Sequence, residues 1–138
     1  MTHWLIPANT KFYDVLGAFD AIETYWPVNA KVSVGDVIYI YLANPHKQIA
    51  FVCDVVEIDI ALENVLDKIL PFVKGEIDSK KPAKYFMKLT TASTIPLEGK
   101  EQLSFSSLKE NGLNGMLMGA RKLENNLQLL EHIQRNLP

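Results

Sequence analysis

The sequence predicts an α+β fold in which a curved or closed β-sheet is flanked by short helices. Three observations carry that expectation. Strand-like stretches of period two are interleaved with short helical stripes at irregular spacing. The long crossover helices of a doubly wound parallel sheet are missing. One long strand also reverses its apolar parity part way along, as a strand does when it turns a corner. The chain has 138 residues, of which 48% are hydrophobic and 22% charged, so one domain spanning 1–138 with a single core is expected, and neither a disordered nor a fibrous chain fits.

The elements follow in order. Residues 3–6 form a short apolar strand closed by Pro7, and Pro7-Ala8-Asn9-Thr10-Lys11 has loop chemistry. Asp14 suits an N-cap, and Val15, Leu16, Phe19 and Ile22 recur at three- and four-residue steps, which predicts a helix ended by Trp26-Pro27. Gly35-Asp36 makes a turn, with Asp36 fixing it, that feeds a strand over 37–42; there Ile38, Ile40 and Leu42 share one face, and Tyr39 and Tyr41 the other. The next strand, 48–60, first alternates Ile49, Phe51, Cys53 and Val55 on one face, then shifts to Val56, Ile58 and Ile60. A regular strand cannot switch faces, so a bulge or bend is expected at Val55-Val56 within a sheet of about five to seven strands.

Leu62, Val65, Leu66, Ile69 and Leu70 predict a short amphipathic helix stopped by Pro71, followed by a polar connector over 74–82. A strand beginning at Lys84 has Tyr85, Met87 and Leu89 on its apolar face. Ser104 is a candidate N-cap for a helix over 105–111, and Gly112 stands where a left-handed residue closes one. Met116-Leu117-Met118 can add a strand. A final helix then carries Leu123, Leu127, Leu130, Ile133 and Leu137 on one stripe.

The formal charge of −2 and pI near 5.9 exclude gripping of phosphates by bulk positive charge, though local basic groups remain at Lys80, Lys81, Lys84 and Lys88 and at Arg121 and Lys122. Cys53 is the only cysteine, so there is neither an internal disulfide nor a cysteine-based zinc site, and its apolar neighbours predict a buried, inert thiol. His3, His46 and His132 are too scattered for a shared metal site and read as solvent-exposed. Without a basic leader or a run of roughly 20 apolar residues, the chain reads as cytoplasmic, with no membrane partner. No GxSxG, Walker or GxGxxG motif is present, and neither a cofactor nor a catalytic residue is expected.

Several segments resemble the EVE domain family: Trp4-Leu5-Ile6-Pro7-Ala8-Asn9, the Tyr13-Asp14 helix start, Trp26 followed by Asn29, and Val34-Gly35-Asp36-Val37-Ile38-Tyr39-Ile40-Tyr41. Later matches are residues 103–113 and Gly119-Ala120-Arg121-Lys122-Leu123. Together they span nearly the whole chain in the family's order. The resemblance implies a PUA-like curved β-barrel flanked by short helices, with a pocket for a base turned out of nucleic acid. It also implies a non-catalytic module that recognises a modified base, such as a modified cytosine in DNA. The implied partners are DNA or RNA with modified bases, in a restriction or RNA-modification complex.

A flipped base needs aromatic faces to stack on and amide groups for its Watson-Crick edge. Trp4, Asn9, Trp26, Asn29 and Tyr41 supply both and are the expected base-binding pocket, with Arg121 and Lys122 as phosphate contacts at its rim. Each has a plainer role open to it. The tryptophans serve equally as large core residues, the asparagines as turn formers, and the basic residues as solvated surface. A pocket protein or enzyme acting on a free nucleoside or other small molecule is the alternative function.

Overall fold

Among the described residues, six strands form one mixed sheet: β1 (His3–Ala8), β2 (Glu23–Pro27), β3 (Val37–Leu42), β4 (Gln48–Ala61), β5 (Tyr85–Thr94) and β6 (Arg121–Lys122), in the spatial order β2-β5-β4-β3-β1-β6. The computed structural model describes residues 1–11, 13–74, 85–97 and 101–138. The expected basic group at Lys80, Lys81 and Lys84 and most of the polar connector lie outside the described residues. β1 and β3 run parallel, and the other pairings are antiparallel.

The α+β class holds, but the sheet is not a closed barrel. Its edges, β2 and β6, are separated by the four central strands and do not pair with each other. The pairing within it is irregular at several points. Between Val55 and Glu57 of β4 the register against β5 slips, so Val55 opposes Leu89 and Glu57 opposes Lys88. This is the expected bulge, although Val56 itself is 42% exposed and only Ile58 and Ile60 turn inward. A second bulge lies at Ala50, because Ile40 pairs with Phe51 and Tyr41 with Ile49. It places Ile49 on the opposite face from Phe51, Cys53 and Val55, where the simple alternation had put all four together.

Both faces of the sheet's centre are covered. One face joins Ile38, Ile40, Leu42, Phe51, Cys53, Met87 and Leu89 to α1 (Val15–Asp20) through Val15, Ala18 and Phe19. The other joins Leu5, Tyr39, Tyr41, Ile49 and Val52 to α3 (Phe105–Glu110) and α4 (Leu127–Arg135) through Leu108, Leu129, Leu130 and Ile133. Tyr85, expected on an apolar face, is half exposed, while its neighbour Phe86 is buried with Val65 and Ile69.

Local chemistry explains where helices stop. Asp14 caps α1 by accepting from Gly17 N at 3.1 Å. The helix ends at Asp20, however, not at Trp26. Ala21 is extended, and the β-branched and aromatic run Thr24-Tyr25-Trp26 pairs with β5, leaving Ile22 81% exposed. The 62–72 helix appears as α2 (Leu66–Ile69) between two 3-10 turns, with Pro71 inside the second. Ser104 caps α3 through Ser107 N, and Gly112, at φ +118°, supplies the expected left-handed exit. Residues 116–118 form no strand and lie in a loop. In α4 the buried stripe is Leu129, Leu130 and Ile133, and Leu127 faces outward.

Candidate nucleic-acid interface

At one end of the sheet, the turn between β3 and β4 meets the start of α3. The amide of Phe105 donates to Lys47 O at 2.8 Å, and Gln48 forms a bridge with Ser104. Because Ser104 is the cap, Phe105 is the first helical residue, and this stitching brings its ring beside Tyr41, with centroids 6.3 Å apart and planes tilted by 60°. Lys109, one turn along α3, sets its ammonium 5.5 Å from the Phe105 ring centroid.

The space in front of these rings is a cleft of about 170 Å³, lined by Tyr41, Ala43, Asn44, Lys47, Phe105, Met116 and Leu117. Its floor is apolar and aromatic, and the exposed Lys47 and Lys109 stand at its margin. Burial pushes the Tyr41 phenol above its ordinary pKa of 10.0, so it stays a neutral hydrogen-bonding group across the physiological range.

Arg121 shapes the outer wall. Its guanidinium donates from Nη1 to Asn114 O and from Nη2 to Met116 O, each at 2.6 Å. The two ends of the fork therefore hold the backbone of the loop that carries Met116 and Leu117. Lys122 beside it is exposed.

The expected pocket residues divide. Tyr41 lines the cleft, whereas Arg121 lines a separate hollow with Asn114, Lys122 and Leu123. Asn9 is exposed and accepts from Lys11 N at 2.8 Å; the next residue, Thr10, donates from Oγ1 to Asn44 O at 3.0 Å, which ties the end of β1 to the cleft turn. Trp4 and Trp26 lie on the other face of the sheet, in the cluster with α1. Trp4 is 8% exposed and donates from Nε1 to Asp36 Oδ2 at 3.0 Å. Trp26 is half-buried, edge-on to Tyr13 and tilted against Phe19, both at 5.5 Å between centroids. Asn29 is exposed in the segment after β2. One cleft does not contain all of these residues, because the side chains of a pleated sheet alternate between its faces and Tyr41 follows Ile40.

Lys47, Phe105, Lys109, Met116 and Leu117 were not singled out from sequence. The spacing of Phe105 and Lys109, four apart behind a Ser N-cap, was the readable sign of an aromatic-cationic helix face. The histidines also differ from expectation. His3 is largely covered, stacked on Tyr39 at 6.2 Å, with Nδ1 2.6 Å from Glu124 Oε2, and the His132 ring lies 2.6 Å from Gln102 O. Burial works to raise the Glu124 pKa, but hydrogen bonds from the His3 ring and amide outweigh it and hold the carboxyl below 4.5.

No protein-family model and no curated protein matches the sequence. Solved structures do match in shape. A point mutant of the ASCH protein from Zymomonas mobilis aligns over 99% of this chain and 96% of its own, with 10% identity and a TM-score of 0.68. A hypothetical protein from Leishmania major aligns over 98% and 93%, with 15% identity and a TM-score of 0.61. Human THYN1, solved in complex with DNA containing 5-methylcytosine, aligns over 96% and 98%, with 13% identity and a TM-score of 0.60. At such identities the likeness is one of fold: this chain shares the fold of the ASCH protein and of THYN1.

Proposed function

We propose that this protein is a non-catalytic nucleic-acid-binding module of the EVE type, and that the Tyr41–Phe105 cleft accepts a modified base, such as a modified cytosine, turned out of DNA or RNA. The observation that carries this reading is the convergence of two aromatic rings with Lys47 and Lys109 on one small cleft. Rings supply stacking that any base can use, and ammonium groups at the margin meet the flanking phosphates. Asn44 contributes an amide for a base edge. The binding of methylated DNA by THYN1, which has the same fold, agrees with this reading.

The test is titration of single- and double-stranded oligonucleotides, with cytosine or 5-methylcytosine, against the wild type, Phe105→Ala and Lys109→Ala. One base-aromatic stack is worth about 1–3 kcal/mol, so Phe105→Ala should weaken binding by roughly 5- to 150-fold. Lys109→Ala should weaken all sequences alike and lower the salt slope by about one. If the wild type binds no oligonucleotide at low salt, or Phe105→Ala binds as tightly as the wild type, the base-reading proposal fails. Salt-independent binding of a free nucleoside would replace it with the small-molecule alternative.

A further inference from the structure

Beside the cleft, the loop between α3 and β6 displays two large apolar side chains to water: Met116 is 72% exposed and Met118 85%. Met116 both lines the cleft and projects from it, so it stands at the lip. The loop is not left to find its own shape, because Arg121 spends both ends of its fork on the carbonyls of Asn114 and Met116. A half-buried arginine thus fixes the loop backbone at Asn114 and Met116, and within this loop Met116 and Met118 stay exposed while Leu123 after it is buried. Leu113 and Leu123, on either side of the loop, join the core under α3 and α4, so apolar partners for the methionines lie near at hand and are not taken.

We infer that Met116 and Met118 form a wedge that enters the base stack of a duplex next to the extruded base, with Arg121 as the residue that positions it. The inference rests on the base-reading proposal, since the wedge matters only if a base occupies the cleft. A base lifted out of a duplex leaves its neighbours unstacked, and unbranched, polarisable apolar side chains such as methionine fill that kind of gap. Lys47 at the same mouth supplies charge of the sign a nucleic-acid backbone requires, which favours a polyanion over an apolar protein surface as the occupant. A single strand has no stack to replace. The wedge should therefore favour duplexes and leave single strands unaffected.

The experiment compares the wild type with Met118→Ala, which lies outside the cleft lining, on a duplex and on a single strand of one sequence. Each carries one 5-methylcytosine flanked by 2-aminopurine. The Met118 side chain is exposed, so the variant should fold, which circular dichroism checks. The wedge is expected to show as about tenfold weaker duplex binding, single-strand binding within about twofold of the wild type, and loss of the 2-aminopurine fluorescence rise that unstacking produces. Arg121→Lys, which keeps the charge but cannot form the two-carbonyl fork, should reproduce the duplex defect with the salt slope unchanged. If Met118→Ala matches the wild type on both substrates, or weakens both equally, the wedge is wrong while the base-reading proposal stands. If the wild type binds neither substrate, the base-reading proposal fails first and the wedge goes with it.

Discussion

Replacing Asp36 by Ala tests whether the charged turn before β3 anchors the N-terminal strand. The carboxylate is 4% exposed and accepts three hydrogen bonds: from Thr2 N at 3.0 Å, Ser33 N at 2.9 Å and the Trp4 indole at 3.0 Å. Its own amide donates to Ser33 O, and Gly35, at φ +92°, makes the tight turn possible. Truncation strands three donors that had shared one charged acceptor. A hydrogen bond to a charged group is worth about 1.5–3 kcal/mol, but water reaches the Thr2 and Ser33 amides once the side chain is gone. A total loss of about 2–4 kcal/mol at pH 7 follows. For a chain of this size that lowers Tm by roughly 10 °C. Burial works to raise the Asp36 pKa, yet the bonds from Ser33, Thr2 and Trp4 outweigh it and hold the carboxyl below 3.8. A folded pKa below the unfolded one means that the stabilisation is complete above pH 3.8 and disappears as pH falls through the folded value. Urea denaturation of wild type and variant at neutral pH and near pH 3 should show the gap narrowing in acid. A loss under about 0.5 kcal/mol at pH 7, the scatter of ordinary surface substitutions, would refute the anchoring role. So would a gap that does not change with pH.

Two further outcomes follow from the core. The Cys53 thiol is fully buried and its pKa is pushed up to about 12, chiefly by that burial, so a disulfide reagent should label it only as fast as the protein opens; labelling within seconds under native conditions would contradict this. Trp26→Ala removes a half-buried ring from Tyr13 and Phe19, and should cost about 2–3 kcal/mol of stability in a denaturant titration while leaving oligonucleotide binding within about twofold. A Trp26→Ala protein of unchanged stability that has lost binding would return the base to the α1 face.

The sheet was largely legible because its strands obey period two over lengths that burial enforces. In β3 the split of Ile38, Ile40 and Leu42 from Tyr39 and Tyr41 falls on the two real cores. The bend near Val55 was readable for the same reason, as a parity that one face cannot satisfy. The Ala50 bulge was not, since Ile49, Phe51, Cys53 and Val55 keep perfect alternation in sequence and only pairing with Ile40 and Tyr41 shows the extra residue. The helix expected to reach Trp26 failed where two readings compete: Ile22 fits the helical stripe, but Thr24-Tyr25-Trp26 also fits a strand, and a partner at β5 decides it. Barrel closure was implied by the resemblance and left open by the bend at Val55-Val56, but a bend in one strand does not decide whether β2 meets β6.

The candidate site was legible in its parts and not in its assembly. Tyr41 and Arg121 were singled out from sequence, but only Tyr41 lines the cleft, and Arg121 serves as a clamp on the carbonyls of the loop that carries Met116. Sequence identifies a guanidinium without showing whether a backbone turn will claim it. The tryptophans illustrate the converse. A large ring is the natural first choice for a stacking surface, but in a chain with two tryptophans the same size makes each a strong filler of the core. The Trp4 indole, whose one polar atom is already bonded to Asp36, has no edge left to offer. Phe105 and Lys47 escaped notice because each is unremarked in its own segment. Their meeting rests on the Phe105 N to Lys47 O hydrogen bond, between residues 58 positions apart, and the adjoining Gln48–Ser104 bridge. Long-range stitching of this kind sets the geometry of a cleft without leaving a local pattern, so the spacing of residues could yield candidate groups for the site but not the face on which they would meet.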